Sequence, residues 1–255
     1  MFMKVAILQY SPQWEDKESN KNKIIRILET SDKKFDLLVL PEMTLTGFSM
    51  NAQNLAESIN GETFQFFSQI AVENSFDVLV GIIEKSKSKP YNTLLHINSK
   101  GKLNKLYRKI HPFSFANEHK FFNAGRRPAI TKVKNFKIGL SICYDLRFPE
   151  LYRKYAKKKV HLIVDIANWP DTRIEHWRVL LKARAIENQC YVLGVNRVGK
   201  DLKLNYNGYS SVFDPMGKEI LSIVDQEGLF ITELDKDYIN QTREKLPFLE
   251  DIKLI

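Results

Sequence analysis

Apolar residues recur along this chain with two different spacings. Helical spacing predicts helices over Lys17–Thr30, Thr63–Asn74, Pro149–Lys158 and Ile174–Asn188. Short apolar runs lie between these segments, and a continuous run such as Leu37–Leu40 is typical of a strand that is buried on both faces of a sheet. Strands that alternate with amphipathic helices predict an α/β fold with a buried sheet.

Two turn sequences predict β-hairpins. Asn98–Gly101 separates TLLHI from KLNKLY, and Asp214–Gly217 separates YSSVF from KEILSI. An Asn or Asp at the first position and a Gly at the fourth are typical of a tight turn. Each hairpin follows a region of alternating strands and helices, so two similar halves are expected.

Length and composition indicate one ordinary globular domain. The chain has 255 residues, 44% of them hydrophobic, and no Gly/Ser-rich or Pro-rich linker divides it, so we expect a single domain over residues 1–255. Its two cysteines are too few for a disulfide framework, which favours a reducing, cytoplasmic location. No apolar run approaches the roughly 18 residues of a membrane span, and we expect no membrane association.

The net charge of +9 does not by itself indicate nucleic-acid binding. Lysines cluster in short groups at Lys85–Lys89, Lys132–Lys137 and Lys157–Lys159, as expected for turns and helix C-termini. No stacking-aromatic or helix-turn-helix pattern accompanies them, so nucleic acid is not an expected partner. The positive charge instead favours encounter with small anionic molecules.

Cys143 is the first candidate for chemistry. The segment FKIGLSICYDLRFPELY runs a strand into this cysteine and then into a helix that begins with Pro149 and Glu150. A thiol that faces a helix N-terminus has its thiolate stabilised, and we expect such a thiol to react near neutral pH. From this segment alone, a small buried core residue is an equal alternative.

Two further ionisable residues follow predicted strands. Glu42 comes after the run Leu37–Leu40 and Pro41, and Lys109 ends the alternating strand in KLNKLYRKI. Catalytic groups of α/β sheets gather at strand ends, so a Glu, a Lys and a Cys are expected to meet at one rim of the fold. Either residue alone is more often a solvated surface group.

Four motifs resemble one known family. PEM, YRKIHPF, CYDLRFPE and the NWP…NRVG segment occur at 41–43, 107–113, 143–150 and 168–199. Together, and in this order, they resemble the Glu-Lys-Cys triad of the nitrilase superfamily of carbon–nitrogen hydrolases, and the likeness extends over essentially the whole chain. TGFSM, NEHKFFNAG and ANWPDTR look most like the ω-amidase branch, which hydrolyses 2-oxoglutaramate and 2-oxosuccinamate.

The resemblance implies a fold and an assembly. The fold would be a four-layer α-β-β-α sandwich with helices outside and two facing sheets inside. The family pairs such sandwiches through outer helices, so a homodimer is expected, with Trp177 and Leu181 of Ile174–Asn188 as candidates to face the partner. No metal and no organic cofactor are expected.

The resemblance also implies roles for the candidate residues. Cys143 would attack the amide carbon to form a thioester, and Glu42 would carry the thiol proton to the departing ammonia and then activate water. Lys109 and the backbone N–H of Tyr144 would stabilise the oxyanion. Glu118, in NEHKFF, would orient Lys109 and the substrate amide.

Arg173 is the candidate for holding a substrate carboxylate. It stands just before a helix predicted to begin near Ile174, and a guanidinium matches a carboxylate in geometry. An ion pair with Asp171 or Glu175 is the structural alternative. Three more residues are expected at the substrate: Asn168, Trp169 and Phe48.

Other residues near the motifs are given structural roles. Asp145 and Arg147 are expected to brace the nucleophile turn rather than touch substrate. His111 is the one plausible base for an alternative Cys-His mechanism, although a packed turn histidine is more common. Cys190 opens the apolar stretch CYVLGV and is expected in the core.

The sequence therefore predicts an amidohydrolase that cleaves the terminal amide of a small, anionic 2-oxo acid amide. Another member of the superfamily, such as an N-carbamoyl amino acid hydrolase or a nitrilase, is the nearest enzymatic alternative. A non-catalytic dimeric protein on the same fold would carry a broken triad, and here Glu42, Lys109 and Cys143 are all present.

Overall fold

The backbone alternates between strands and helices, as the spacing of apolar residues predicts. The computed structural model describes residues 1–31 and 34–254. The strands of this part of the chain are β1 (Phe2–Gln9), β2 (Leu37–Val39), β3 (Asp77–Glu84), β4 (Tyr91–Ile97), β5 (Leu103–Arg108), β6 (Ala129–Val133), β7 (Phe136–Ile142), β8 (Leu162–Ile166), β9 (Tyr191–Val195), β10 (Val198–Lys200), β11 (Asn205–Phe213), β12 (Glu219–Val224) and β13 (Gly228–Asp235). The helices are α1 (Lys17–Glu29), α2 (Ala52–Leu55), α3 (Glu62–Asn74), α4 (Glu118–Phe121), α5 (Pro149–Lys157), α6 (Ile174–Asn188) and α7 (Lys236–Lys245).

The four predicted helices are confirmed, with one-residue shifts at some ends. α3 begins at Glu62, while α1 ends at Glu29 and α5 ends at Lys157. The Asp16 side chain caps α1 by accepting a backbone N–H of its first turn. Pro149 occupies the first turn of α5, where its missing N–H has no helical partner to lose.

Both predicted hairpins are confirmed as antiparallel pairs, β4 with β5 and β11 with β12. The turn glycines have positive φ, +71° at Gly101 and +78° at Gly217, a conformation that other residues rarely adopt. Each hairpin lies beside three parallel strands, so the two halves of the chain are built alike, as expected.

The described strands form a six-stranded sheet and a seven-stranded sheet. The first has the order β13-β1-β2-β3-β4-β5, and its strands β1, β2 and β3 are parallel. The second has the order β10-β11-β9-β8-β7-β6, with β7, β8 and β9 parallel and β12 paired to β11. Parallel neighbours end at the same edge of a sheet, so the loops that follow them are brought together.

Alternate residues of the central strands face two different hydrophobic layers. In β1, Val5 and Ile7 belong to a core cluster that also contains residues of β7, β8 and β9 from the other sheet. Ala6 and Leu8 pack in a second cluster with Phe67 of α3 and other helix residues. Both faces of the strand are thus covered, and the arrangement is the α-β-β-α sandwich that the resemblance implies.

Glycines let the helices approach the second sheet closely. Tyr155 of α5 lies over Gly139, where an added Cβ would meet its ring at 2.8 Å. Trp177 and Leu181 of α6 lie over Gly194, with corresponding distances of 2.5 and 2.4 Å. Both α6 side chains are fully buried within the chain, so the prediction that they face a partner subunit is wrong.

The structure also bears on the cysteines and on membranes. Cys143 and Cys190 are both free thiols, and Cys190 is fully buried in the core, as expected. None of the described helices is long and apolar enough to cross a membrane.

Candidate active site

Four of the predicted site residues lie within three residues of the end of a strand. Glu42 follows β2, Lys109 follows β5, Cys143 follows β7 and Asn168 follows β8. Asn168, from the second sheet, donates its backbone N–H to Glu42 Oε2 (2.9 Å) and its Nδ2 to the Glu42 carbonyl (2.7 Å). The strand ends of the two sheets therefore meet at one place.

Lys109 lies between two buried carboxylates. Its Nζ donates to Glu42 Oε1 (2.8 Å) and to both oxygens of Glu118 (2.9 and 3.2 Å), and none of the three side chains is more than 1% exposed. Burial alone lowers the pKa of Lys109, but the charges of Glu118 and Glu42 hold it well above its usual value. Burial raises the pKa of Glu118, and the charge of Lys109 opposes this only in part. Lys109 is therefore a permanent cation.

Cys143 has an unusual backbone conformation. Its φ of +51° lies in the left-handed region, which costs a non-glycine residue about 1–3 kcal/mol, and it opens a 3-10 turn over Cys143–Arg147. The Cys143 N–H donates to Asp165 Oδ1 (2.7 Å), while Asp165 Oδ2 accepts from the hydroxyls of Ser141 (2.7 Å) and Tyr152 (2.6 Å). Burial raises the pKa of Asp165 to about 7. This hydrogen-bond network fixes the backbone of the nucleophile turn.

The surroundings of the Cys143 thiol favour its protonated form. Burial and then the charge of Glu42 raise its pKa well above the usual value, and Lys109 opposes the shift only in part. The sequence predicted a thiolate stabilised by the N-terminus of α5, and the structure does not show this. A 3-10 turn separates Cys143 from Pro149, and the pKa of the thiol is raised rather than lowered. Attack by this thiol requires a base, and among charged groups Glu42 has the strongest effect on the pKa of the thiol.

Asp145 braces the nucleophile turn, as expected. It accepts the N–H of Ile142 (3.1 Å), the hydroxyl of Tyr107 (2.7 Å) and the N–H of His111 (3.0 Å). The His111 ring is occupied as well, because Nδ1 lies 2.7 Å from Asp145 and the ring stacks on Phe148 at 3.8 Å. His111 is thus a packed turn residue, and no contact supports the Cys-His alternative.

The Cys143 side chain faces a cavity of about 300 Å³. Its walls are mostly apolar, and several cationic side chains project into it. The lining residues are Trp14, Phe48, Met50, Phe113, Ala116, Cys143, Tyr144, Arg147, Asn168, Trp169, Pro170, Arg173, Asp201, Leu202, Lys203, Leu204 and Tyr206. The volume suits a small molecule of a few heavy atoms.

Arg173 lines this cavity without a carboxylate partner. Its guanidinium lies 5.7 Å from the centre of the Phe113 ring, and neither Asp171 nor Glu175 forms an ion pair with it. The structural alternative for Arg173 is therefore not observed. Arg147 differs from the expectation: instead of bracing the turn, its guanidinium lies 4.8 Å over the Trp169 ring in the cavity wall.

The other substrate-site candidates also line the cavity. Trp169 is held by two bonds, from its N–H to Asn196 Oδ1 (2.7 Å) and from its Nε1 to the Arg173 carbonyl (2.8 Å). Phe48 covers the buried cluster, with its ring centre 5.3 Å from Lys109 Nζ. The Tyr144 backbone N–H has no acceptor among the described residues, so it remains available to an oxyanion.

The sequence reasoning missed Asn92, which contacts both carboxylates as Lys109 does. Asn92 Nδ2 donates to Glu42 Oε1 (2.7 Å) and to Glu118 Oε1 (2.9 Å). The available signal was a polar residue inside the apolar strand β4, directly opposite the end of β5. The β10–β11 turn, which supplies Asp201 and Leu202 to the cavity, was missed too.

Within residues 1–31 and 34–254, no three His, Cys, Asp or Glu side chains are grouped so that they could hold a metal ion. The two carboxylates that approach each other share the ammonium of Lys109 instead.

Comparison with known proteins identifies the family of this chain. The profile of the carbon-nitrogen hydrolase family matches residues 4–244. The chain belongs to the carbon–nitrogen hydrolase family. It is 32% identical to 2-oxoglutaramate amidase of Bacillus subtilis, covering 98% of this chain and 97% of that protein, and 35% identical to the omega-amidase YafV of Escherichia coli K12, covering 98% and 96%.

Solved structures agree with the sandwich fold of this carbon–nitrogen hydrolase. The crystal structure of XC1258 from Xanthomonas campestris, a CN-hydrolase superfamily protein with an arsenic adduct in its active site, has a TM-score of 0.95 and 32% identity. The likeness covers 100% of this chain and 98% of that one. The superfamily predicted from the four motifs is confirmed.

Glu118→Gln tests the buried cluster. Glutamine keeps the shape of the side chain but removes one of the two negative charges beside Lys109, and we expect kcat to fall about 10- to 100-fold with little change in KM. Steady-state kinetics on an amide substrate measures both constants. Glu84→Gln is the matched control, because Glu84 is equally buried but pairs with Arg108 away from the cavity. If both variants lost kcat equally, the cluster would have no special part in turnover.

Proposed function

We propose that this chain is an amidohydrolase that cleaves the terminal amide of a small 2-oxo acid amide, such as 2-oxoglutaramate or 2-oxosuccinamate, to the acid and ammonia. The observation that carries the proposal is a free cysteine in a small cavity, set beside a buried Glu-Lys-Glu cluster and two arginines that have no carboxylate partner among the described residues. The names of the amidase relatives point to the same substrates.

Acylation begins with proton transfer from Cys143 to Glu42. The thiol needs this transfer because burial keeps it neutral, and Glu42 Oε2 has one bond from Asn168 and room for a proton. The sulfur then attacks the amide carbon, and the negative charge passes to the amide oxygen. Lys109 and the N–H of Tyr144 stabilise that oxyanion, since the N–H of Cys143 itself already donates to Asp165.

Collapse of the tetrahedral intermediate releases ammonia. Glu42 returns its proton to the amide nitrogen, the C–N bond breaks, and a thioester remains on Cys143. Glu42 then takes a proton from water, hydroxide adds to the thioester carbon, and the thiolate leaves and is reprotonated by Glu42. The chemistry of each step is supplied by Cys143, Glu42 and Lys109 and requires no metal and no organic cofactor.

The far end of the substrate is assigned to the arginines. A 2-oxo acid amide carries a carboxylate beside a carbonyl, and Arg173 and Arg147 supply planar donors for these oxygens. Trp169 and Phe48 supply apolar walls for the methylene groups between the carboxylate end and the amide. A free catalytic thiol favours a reducing compartment, and we therefore propose a cytoplasmic location.

Cys143→Ala should abolish amide hydrolysis while leaving the fold intact, because it removes one small side chain. The measurement is ammonia release from 2-oxoglutaramate, with N-carbamoyl-β-alanine and a simple nitrile as competing substrates. Cys190→Ala is the control, since this thiol is buried in the core, and it should retain activity. Turnover by Cys143→Ala would overturn the mechanism, and preferential turnover of the carbamoyl compound or the nitrile would favour the alternative hydrolases.

Arg173→Ala should raise KM for 2-oxoglutaramate with a smaller effect on kcat. A charge-assisted contact is worth about 1.5–3 kcal/mol, which corresponds to a loss of roughly 10- to 100-fold in kcat/KM. Uncharged amides should be nearly unaffected, and Arg173→Lys should restore activity only in part. Arg178→Ala, in the helix that follows Arg173 but paired with Glu175, is the control. Equal losses on charged and uncharged amides would mean that Arg173 braces the loop after Trp169.

We also propose a homodimer, with a different surface of α6 from the one the sequence suggested. Val179 and Ile186 of α6 are 61% and 47% exposed, and Met216 on the β11–β12 hairpin beside Ile186 is 52% exposed. Light scattering should give twice 29.7 kDa, and Ile186→Lys should reduce the mass to 29.7 kDa without loss of fold. A wild-type mass near 29.7 kDa at assay concentration would contradict the dimer.

A further inference from the structure

Asn92 occupies a position that the proposed mechanism does not yet use. It is 1% exposed on β4, and its backbone carbonyl accepts the N–H of Lys109 (2.9 Å). Its side-chain amide has two hydrogens on Nδ2 and two carboxylate acceptors in reach, Glu42 Oε1 at 2.7 Å and Glu118 Oε1 at 2.9 Å. One small side chain thus connects the two acidic groups from the side that Lys109 does not cover.

The orientation of the Asn92 amide follows from charge. If the amide were turned over, Oδ1 would face two carboxylate oxygens, and three acceptors would repel one another. In the orientation observed, Oδ1 is buried without a hydrogen-bond partner in the described residues. A buried unpaired carbonyl lowers stability, so the donor end of Asn92 is kept at a cost in folding free energy.

The contacts of Asn92 determine which oxygen of Glu42 is free to act. Oε1 accepts from both Lys109 (2.8 Å) and Asn92 (2.7 Å), which fills its lone-pair directions. Oε2 has a 2.9 Å bond from the Asn168 N–H and a longer 3.5 Å contact from Asn168 Nδ2. The oxygen with capacity to accept the thiol proton is therefore Oε2.

We propose that Asn92 is a positioning residue for the reaction. It holds Glu42 and Glu118 together around Lys109 and favours the charged form of both carboxylates. It also leaves Glu42 Oε2 to take the proton of Cys143. The inference rests on the proposed cysteine hydrolase chemistry. An N–H that donates to a carboxylate favours its charged form, so loss of Asn92 should make the carboxylate pair bind a proton at higher pH. Besides Glu42 and Glu118 themselves, the charged and titratable groups near this carboxylate pair are Lys109, Cys143 and Asp165.

Asn92→Leu removes both donors and also the unpaired carbonyl. We expect kcat/KM at neutral pH to fall about 10-fold or more, and the acid limb of its pH profile to move up by about one unit, because the pair gains its proton earlier as pH falls. Asn92→Asp has nearly the same volume but adds a third carboxylate, so its acid limb should move at least as far. If Asn92 served only to fill space, the order would be reversed: Asn92→Asp would leave activity unchanged and Asn92→Leu would reduce it.

The second readout does not depend on any substrate. The rate of alkylation of Cys143 by iodoacetamide, located by mass spectrometry, should show the same upward shift of its acid limb in both Asn92 variants. This measurement separates the inference from the substrate assignment: if 2-oxoglutaramate is not hydrolysed but the alkylation limb moves, only the assigned substrate is wrong.

Asn20→Leu is the matched control for a buried asparagine. Asn20 is fully buried on α1 and donates Nδ2 to the carbonyls of Gln13 and Leu45 (2.8 Å each), away from the cavity. We expect Asn20→Leu to melt at a lower temperature than the wild type. The acid limb of its pH profile should not move. If the Asn92 variants behaved like Asn20→Leu, with lower stability and unchanged pH profiles, Asn92 would be a structural residue and the inference would be overturned.

Discussion

The ammonium of Lys109 between two buried carboxylates is the interaction on which this active site depends. Taking Glu42 and Glu118 out of water is costly, and removing the one cation between them would leave uncompensated buried charge worth about 3–5 kcal/mol. The cluster draws Glu42 from the end of β2 and Lys109 from the end of β5, and Asn168 ties it to the second sheet. The two sheets therefore have to meet at these strand ends for the charges to be tolerated.

A second constraint follows at the nucleophile. The backbone of Cys143 adopts a positive φ, and Asp165 holds it there by accepting its N–H. Because of this bond, the N–H of Cys143 cannot donate to an oxyanion, although the N–H of a nucleophile turn often does. The donors that remain for the proposed oxyanion are the N–H of Tyr144 and the ammonium of Lys109. Burial raises the pKa of the Cys143 thiol, so in the proposed mechanism the nucleophile forms when Glu42 takes the thiol proton.

Much of this arrangement was predictable from strand ends. Continuous or alternating apolar residues indicated the strands, and an ionisable residue at or shortly after a predicted strand end marked Glu42, Lys109 and Cys143. Asn92 and Asp165 were not predicted, because they lie inside strands and their partners are distant in sequence. Spacing can indicate that such a residue is buried, but which side chain meets it depends on how the two sheets pack. The same limit explains Trp177 and Leu181: their spacing indicated an apolar face correctly, but the layer that covers it is the sheet at Gly194 rather than a partner subunit.

The two arginines in the cavity make sense only in relation to a ligand. Within the described residues, neither Arg173 nor Arg147 has a carboxylate partner, and each lies over an aromatic ring, Phe113 and Trp169 respectively. A ring face attracts a guanidinium without using its N–H donors, so the side chain is held in place. Arg147 also has its Nη2 3.1 Å from His176 Nδ1, while its remaining N–H donors have no carboxylate acceptor among the described residues. An arginine already paired with Asp or Glu would have to break that pair before it could bind an anion. Aromatic support avoids this competition, and it leaves both positive charges in the cavity, where the proposed substrate would place its carboxylate while its amide reaches Cys143.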